Sequence, residues 1–309
     1  MTASLTIAGH TMGTPDLSVP DALRLFHRAG LDAAEVVWQD GFASGIPETD
    51  SGAVLRETAA VSRELGLPVI GLTPYMSGLN SPDRSTRERD IARFRSCIGD
   101  AAELGAHIIR VYAGEFTEDQ AARGEHAERW TRLVASLRSL GPIAHDHGVV
   151  LAVENHFNTM TMTARESAEL VREVSHPAVG ILYDQANLTF THSEDFPEAI
   201  AVQAGLIRHV HVKDLVWVDR ERPFTAAAVA TVAPEERTVR SRAVGDGELD
   251  WPGILASLLE TGYRGVLSLE YEYRWHPNDL PDPEEGFRRG ADHTRSILSR
   301  LTDSESLPS

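Results

Sequence analysis

The sequence predicts an α/β fold in the form of a single (β/α)₈ barrel, or TIM barrel. Short apolar segments rich in β-branched residues alternate with amphipathic helical segments, which is typical of parallel strands joined by helices. Eight such pairs fit into 309 residues, against roughly 250 for an ordinary barrel. An open doubly wound sheet is the competing architecture, but no GxGxxG motif follows the first strand, so its dinucleotide-binding form is not supported.

The predicted strands are short apolar runs that stop at polar, glycine or proline residues. They cover residues 5–8, 33–38, 68–72, 107–112, 149–153, 179–183, 207–212 and 265–269. Each interval between consecutive strands is long enough for a helix, and a strand–helix–strand unit places its two strands parallel. The predicted sheet is therefore parallel throughout.

The predicted helices have recognisable start and stop signals. They cover residues 21–29, 53–65, 87–104, 128–147, 163–174, 197–205, 251–261 and 287–301. Gly66 and Gly105 follow two of them, in the position where a left-handed residue ends a helix. Thr163 and Glu166 have capping-box spacing, and Pro142 is expected to kink the helix that it interrupts.

The chain is expected to fold as one domain. No linker rich in proline, glycine or serine divides it, so residues 1–301 are assigned to the barrel and residues 302–309 to a polar C-terminal tail. Two stretches, 218–250 and 276–286, lack a regular pattern and follow the seventh and eighth strands. Because such loops build the C-terminal face of a barrel, both are expected near the active-site mouth.

The composition disfavours several classes of protein. The 29 Lys and Arg residues oppose 46 Asp and Glu residues, which gives a formal net charge of −17. A surface this acidic repels nucleic acid and anionic lipid but attracts divalent cations. No apolar run approaches the roughly 18 residues of a transmembrane helix, and Cys97 is the only cysteine. Residues 1–9 lack the features of a signal peptide, so a cytoplasmic location is the default expectation.

Four side chains with metal-binding chemistry stand at the ends of consecutive predicted strands. Glu154, Asp184, His211 and Glu270 belong to strands five to eight, whose C-terminal ends are neighbours around a barrel mouth. A single acid at such a position is more often a helix N-cap or a salt-bridge partner. Three acids together would repel one another without a cation, and this oxygen-rich set suits Mn²⁺, Mg²⁺ or Co²⁺ better than a structural zinc. We therefore expect one divalent ion, Mn²⁺ first, with Mg²⁺, Co²⁺ and Zn²⁺ as alternatives.

Further polar side chains are expected around the same mouth, because residues two apart in a strand face the same side. Lys213 continues the face of His211 and would meet a bound substrate, although a salt bridge to a neighbouring acid is the competing interpretation. His209 is interpreted as a buried residue beneath His211. For the other candidates, packing in the core or in loops is the alternative to substrate contact: His10, Arg110 with Tyr112, His156, Trp38, Trp217 and Trp275.

Several segments of the second half carry a resemblance to a known family. They are VENH (153–156), YDQAN (183–187), HVHVKD (209–214), GDGELDW (245–251) and GYRGVLSLE (262–270). These segments resemble those of the sugar phosphate isomerase/epimerase family, whose fold is the xylose isomerase-like TIM barrel. The resemblance implies a single metal ion bound by Glu154, Asp184, His211 and Glu270. It also implies that Glu154 and Glu270 are the catalytic groups that move a substrate proton.

Two positions depart from the ketose 3-epimerase branch of that family. Asn187 stands where those enzymes have a histidine, and Trp217 stands where they have an arginine; both positions hold substrate hydroxyls in that branch. The resemblance thus makes Asn187 and Trp217 candidate substrate contacts, but it argues against epimerisation of a free ketohexose. The family also includes inosose dehydratases, hydroxypyruvate isomerases, 3-dehydroshikimate dehydratases and lyases that act on 3-keto sugars.

The leading expectation is a divalent-metal-dependent isomerase or epimerase of a carbohydrate-like small molecule with a hydroxy-ketone group. An α-proton would be removed to give a metal-bound enediolate, which is then reprotonated on another face or carbon. The alternative is a metal-dependent lyase or dehydratase of a keto-sugar, an inosose or a related ring, including elimination from a 3-keto-glycoside. The net charge disfavours an endonuclease. A non-catalytic binding subunit is a further alternative, and a homo-oligomer or a complex with a partner subunit stays open.

Overall fold

The computed structural model describes residues 5–224 and 237–305, and eight of its strands form a parallel barrel. The strands in chain order are β1 (Thr6–His10), β2 (Ala33–Trp38), β3 (Gly45–Ile46), β4 (Val69–Pro74), β5 (Ile108–Val111), β6 (Val150–Glu154), β7 (Val179–Asp184), β8 (Ile207–Val212), β9 (Asp214–Trp217), β10 (Val239–Arg242) and β11 (Val266–Leu269). The short β3 extends the sheet beside β2, and β9 and β10 form a separate hairpin.

The barrel closes because β1 pairs in parallel with both β2 and β11. Around the barrel the order is β1, β2, β4, β5, β6, β7, β8 and β11, which is also their order along the chain. Each of the eight predicted strands has a counterpart among these barrel strands. The predicted (β/α)₈ fold class is confirmed.

Helices follow the barrel strands and cover their outer side. They are α1 (Val19–Arg28), α2 (Gly52–Leu65), α3 (Arg84–Leu104), α4 (Glu118–Ala122), α5 (His126–Asp146), α6 (Ala164–Val174), α7 (Gln185–Phe190), α8 (Phe196–Gln203), α9 (Trp251–Glu260) and α10 (Pro283–Glu305). Thr163 and Glu166 form the predicted capping box, and Gly66 and Gly105 adopt the predicted left-handed conformation. Helix α5 is continuous through Pro142. Within the described residues, none of the helices has both the length and the apolarity to span a bilayer.

The strand side chains alternate between the barrel interior and the helical layer. On the outer side, Trp38 is buried and donates its indole N–H to Asp100 over 2.8 Å, so it is a core residue. The lower interior is filled by small apolar clusters: Ala8, Ala33, Ile70 and Val266, and beside them Ile108, Ala152 and Leu182. Nearer the C-terminal ends of the strands the interior becomes polar, and this is where the candidate site lies.

Two stretches expected to be irregular contain regular structure. Strand β10 lies within 218–250 and pairs antiparallel with β9, so Val239 faces Trp217 across the hairpin. The sequence of β10, VRSR, is polar and does not predict a strand. The strand forms because it pairs with β9, so the tertiary context outweighs the local sequence preference. Residues 225–236 of this stretch lie outside the described residues. Helix α10 begins at Pro283, inside 276–286, and extends past the predicted end at residue 301 to Glu305; residues 306–309 of the predicted tail are not described.

A buried carboxylate joins the start of this hairpin to the segment after it. Asp214 accepts backbone N–H hydrogen bonds from Gly245 and Gly247 through Oδ2 and from Leu249 through Oδ1. A Cβ on Gly247 would lie 2.0 Å from Asp214 Oδ1, and Gly245 has a φ of +97°, so both positions require glycine. This anchor accounts for the GDGELD segment and holds the backbone next to Lys213.

We expect Gly247→Ala to lower the free energy of unfolding by about 1 to 3 kcal/mol, because the added methyl group overlaps the Asp214 carboxylate. Urea unfolding followed by circular dichroism measures the change. Gly99→Ala is the matched control: Gly99 lies in α3, and a Cβ there meets nothing within 4 Å. That variant should gain about 0.5 to 1 kcal/mol. Equal stability of the two variants would contradict the steric account.

Candidate active site

Three acids and one imidazole converge at the C-terminal mouth of the barrel. Glu154, Asp184, His211 and Glu270 each place one donor atom within 4.8 Å of the other three, and all four are buried. His211 Nδ1 lies 3.4 Å from Glu154 Oε1 and 3.1 Å from Glu270 Oε2. The structure therefore brings together the four side chains that the sequence suggests as metal ligands.

The donors of this cluster fit a divalent cation. Asp184 Oδ2, His211 Nδ1 and Glu270 Oε2 are buried without a hydrogen bond. Lys213 Nζ lies 2.9 Å from Asp184 Oδ2 and 2.8 Å from Glu270 Oε2, but these are ion pairs without hydrogen-bond geometry. Buried polar atoms are costly when they lack a partner, and oxygen and imidazole donors at this spacing are what a divalent ion requires.

The carboxyl group of Asp184 is the least acidic of the cluster. Burial raises the pKa of Asp184 to about 7; Lys213 opposes the shift, while the charges of Glu270 and Glu154 add to it. A cation that binds to Asp184 must therefore displace a proton at neutral or lower pH.

This raised pKa predicts a pH-dependent affinity. We expect the affinity for Mn²⁺ to fall at least about tenfold for each pH unit below about 7, because protonated Asp184 cannot ligate. Titration with Mn²⁺ in competition with a chelator, between about pH 6 and pH 8, tests this. An affinity that stays constant over the range would exclude Asp184 as a ligand with this pKa.

Arg110 binds a member of the cluster. Its Nε and its terminal nitrogen each lie 2.6 Å from Glu154 Oε2, and its guanidinium stacks over the Tyr112 ring at 3.6 Å. Burial by itself would raise the pKa of Glu154, but the positive charge of Arg110 outweighs it and lowers the pKa to about 2. Glu154 is consequently a stable anion and a weak base. Arg110 also lines the cavity that opens above the cluster.

A cavity of about 290 Å³ opens above the cluster, at the lower end of the size range of ligand pockets. His156 and Lys213 line it, as the sequence suggests for substrate-binding residues. Burial lowers the pKa of Lys213, but the neighbouring carboxylates of Asp184, Glu270 and Glu272 reverse this and hold the pKa well above its ordinary value. Lys213 is therefore an ammonium ion, a hydrogen-bond donor at the cavity floor.

The imidazole of His156 is neutral and has a defined tautomer. Its Nδ1 lies 2.8 Å from the carbonyl oxygen of Phe157, which can only accept, so Nδ1 carries the proton. Nε2 therefore has a lone pair, and the hydroxyl of Tyr112 lies 3.4 Å from it. Burial lowers the pKa of His156 to about 4, more than the nearby Glu154 raises it. His156 thus offers an unprotonated nitrogen near the cluster at neutral pH.

Three of the expected substrate contacts lie outside the cavity lining. His10 is fully buried and bonds Thr73. Asn187 is buried beside the cluster, where it donates to the Asn155 carbonyl and accepts from Lys213 over 3.3 Å. Trp217 lies in a separate groove and stacks on His192 at 4.8 Å, because the pairing of β9 with β10 sets its direction. Trp275 does line the cavity, where it contacts Met12.

Sequence reasoning missed several residues at the site. Glu35, in the interior beneath the cluster, contacts both His209 and His211. An acid inside the otherwise apolar run AAEVVW was the available signal. The cavity residues that were missed include Tyr75, Arg237, Ser241, Glu272 and His276. Arg237 and Ser241 come from the stretch 218–250, which was expected near the mouth, but its irregular pattern did not single out these two residues.

Fold and cluster together define an eight-stranded barrel with a candidate divalent-metal centre at its C-terminal mouth. A family model described as the xylose isomerase-like TIM barrel matches residues 23–297. The chain belongs to this family, which confirms the resemblance noted in the sequence.

Curated relatives and solved structures add named enzymes. An inosose dehydratase of Geobacillus thermodenitrificans is 29% identical over 153 residues, which cover 47% of this chain and 48% of that protein. A 3-dehydroshikimate dehydratase of Pseudomonas putida is 27% identical over 260 residues, which cover 82% of this chain and 36% of that protein. A solved D-psicose 3-epimerase has a TM-score of 0.74 at 18% identity, covering 95% of this chain and 99% of that chain.

These comparisons show the fold family, whereas the named relatives differ in the reactions that they catalyse. The chain spans about half the length of the curated dehydratases that it matches, and less of the 3-dehydroshikimate enzyme. The likeness to the epimerase structure, at 18% identity, concerns the fold.

Proposed function

We propose that the protein is a divalent-metal-dependent dehydratase or lyase that acts on a polyhydroxylated ring ketone, such as an inosose or a keto-sugar. The observation that carries the proposal is the four-donor cluster at the floor of a cavity that also contains the unprotonated Nε2 of His156. The named dehydratase relatives support the same reaction class.

The metal ion would be held by Glu154, Asp184, His211 and Glu270, with Mn²⁺ as the first expectation from the oxygen-rich donors. When bound, such an ion would supply a Lewis acid that polarises a substrate carbonyl and stabilises negative charge on its oxygen.

The protein's own side chains would move the protons. His156 Nε2 accepts the proton from the carbon next to the carbonyl, and the electron pair of that C–H bond becomes the new C=C bond as the β C–O bond breaks. The ammonium of Lys213 donates a proton to the departing hydroxyl, which leaves as water, or to the leaving oxygen of a glycoside. Its raised pKa keeps Lys213 protonated across the neutral range in the metal-free protein.

The ion pair between Arg110 and Glu154 favours elimination over two-glutamate epimerisation. A carboxylate with a pKa of about 2 is a poor acceptor for a carbon-bound proton, because a general base works best with a pKa near the working pH. His156 has the higher pKa of the two and carries no arginine partner.

Product analysis in D₂O tests the proposal. The protein loaded with Mn²⁺ is incubated with inososes, 3-dehydroshikimate and 3-keto-glucosides, and products are followed by ¹H NMR and mass spectrometry. Loss of one water or of a leaving group is the expected result. No turnover and no solvent exchange of substrate protons across the panel would contradict the proposal.

An isomerase or epimerase is the second candidate function. It is favoured by the facing carboxylates of Glu154 and Glu270, whose donor atoms lie within 4.8 Å of each other and would flank a substrate carbon. The same D₂O experiment separates the candidates, because an isomerase incorporates deuterium and leaves the rest of the substrate mass unchanged.

A further inference from the structure

A second polar layer lies directly beneath the candidate metal cluster, inside the barrel. At its centre is Glu35, from the middle of β2, whose side chain is completely buried. Glu35 Oε2 lies 2.9 Å from His209 Nε2 and 3.2 Å from His211 Nε2, and Oε1 accepts a hydrogen bond from Thr73 Oγ1 over 2.9 Å. One carboxylate therefore contacts a side chain of the neighbouring strand β4 and two side chains of β8 across the barrel interior.

The chemistry of the acceptor fixes the direction of these hydrogen bonds. An ionised carboxylate can only accept, so His209 Nε2 and His211 Nε2 both carry their protons toward Glu35. The hydroxyl proton of Thr73 also points to Glu35, which leaves Thr73 Oγ1 to accept from His10 Nε2 over 2.9 Å. His10 Nδ1 accepts from the Met12 backbone N–H.

This network argues against a second metal ion in the lower layer. His10, Glu35 and His211 stand close enough to be a candidate trio. Both nitrogens of His10 are already engaged, and His211 Nε2 carries a proton, so neither imidazole offers a lone pair to an ion there. The lower layer is a hydrogen-bond network that supports the upper cluster.

We propose that Glu35 is a positioning residue for the metal ligand His211. By holding the proton on Nε2, Glu35 leaves Nδ1 as the ligating atom, and Nδ1 is the nitrogen that faces Glu154 Oε1 and Glu270 Oε2. A carboxylate behind an imidazole ligand also fixes the ring orientation and raises its basicity toward the ion. This inference rests on the proposed function, because it assumes that the upper cluster binds a metal.

Replacing Glu35 with glutamine changes the charge of this side chain and almost none of its volume. An isosteric glutamine at position 35 would fill the same space but would turn an amide N–H₂ toward one of the N–H or O–H donors. At least one buried donor would then lose its acceptor, and the negative charge behind His211 would be absent.

Glu35→Gln tests the role through metal affinity rather than turnover. Binding of Mn²⁺ alone to the full-length protein is measured from the electron paramagnetic resonance signal of the free ion, at a temperature where each variant is folded by circular dichroism. We expect the affinity of Glu35→Gln to fall by about 10- to 100-fold.

Asp90→Asn is the matched control. Asp90 is also a buried carboxylate, but it pairs with Arg93 and the Gly78 N–H on the outside of the barrel. Its replacement should lower stability and leave Mn²⁺ affinity unchanged. Equal affinity of Glu35→Gln and the wild type, or an equal loss in both variants, would overturn the role of Glu35. Absence of Mn²⁺ binding by the wild type would instead overturn the proposed function.

A measurement on the unchanged protein covers the case in which Glu35→Gln does not fold. Long-range ¹H–¹⁵N spectra of the zinc-loaded protein, labelled at histidine, report which ring nitrogen carries the proton. We expect His211, assigned by its loss in His211→Gln, to be protonated at Nε2 and metal-bound at Nδ1. The opposite arrangement would overturn the inference.

Discussion

Replacing Asp184 with asparagine is expected to remove nearly all turnover by removing metal binding. The substitution is isosteric, and the amide oxygen can still accept the Asn187 N–H that caps α7, so the fold should persist. The cluster loses one of its three negative charges and one strong ligand. Because ion-assisted stabilisation supplies several kcal/mol of barrier lowering, turnover should fall by about 10³-fold or more at limiting Mn²⁺.

Two measurements separate this result from misfolding. Mn²⁺ titration should show a large loss of affinity, while thermal unfolding in the absence of metal should show a stability equal to or above that of the wild type. The latter follows because a buried carboxyl whose pKa is raised from 3.8 to about 7 makes the fold less stable as the pH rises from about 4 to about 7, and this loss persists at higher pH. Unchanged affinity in Asp184→Asn would remove Asp184 from the ligand set, and with it the basis of the proposed metal centre.

The four candidate metal ligands could be predicted from the sequence, because their placement depends on local strand patterns and on the assumption that the strands close into a barrel. Where each strand ends can be read from its apolar run, and closure into a barrel brings the ends of neighbouring strands together. Glu154, Asp184, His211 and Glu270 required nothing more. Their common direction follows from the alternation of side chains along each strand.

The polar layer around Glu35 could not be predicted in this way. Glu35 is separated from His209 by 174 residues, and the two meet only across the interior of the closed barrel. A single acid in an apolar strand is more often explained by a local partner, so the sequence does not indicate which imidazoles it contacts. The same limit applies to Arg110: the strand pattern predicts its face, but its pairing with Glu154 depends on the register of β5 and β6.

The direction of the Trp217 side chain could not be predicted from the sequence. The resemblance makes Trp217 a candidate substrate contact, at the position where related enzymes have an arginine, and that role stays a prediction. In the structure the side chain stacks on His192 in a groove separate from the cavity above the cluster, because β9 pairs with β10. The resemblance matches the position of Trp217 along the chain. The direction of its side chain depends on the β9–β10 hairpin, which the sequence pattern does not predict.

Replacing His156 with glutamine is expected to lower kcat by about 10² to 10⁴-fold, the usual contribution of a general base. Glutamine can preserve a hydrogen bond to substrate but cannot accept the proton. Because His156 is not a member of the four-donor cluster, affinity for Mn²⁺ should stay near the wild-type value. Steady-state kinetics at saturating Mn²⁺ and a parallel metal titration give the two readouts.

The pH profile and a neighbouring variant distinguish a base from a packing residue. The neutral form of His156 persists above its pKa of about 4. At Mn²⁺ concentrations that keep the metal site filled, the activity that it supports should be retained above this pH and lost as the pH falls through it. Tyr112→Phe removes only the hydroxyl that lies 3.4 Å from His156 Nε2 and should reduce kcat by less than about tenfold. If His156→Gln has no larger effect than Tyr112→Phe, the base lies elsewhere. Glu154 and Glu270 would then be the better candidates, and the isomerase mechanism would replace elimination.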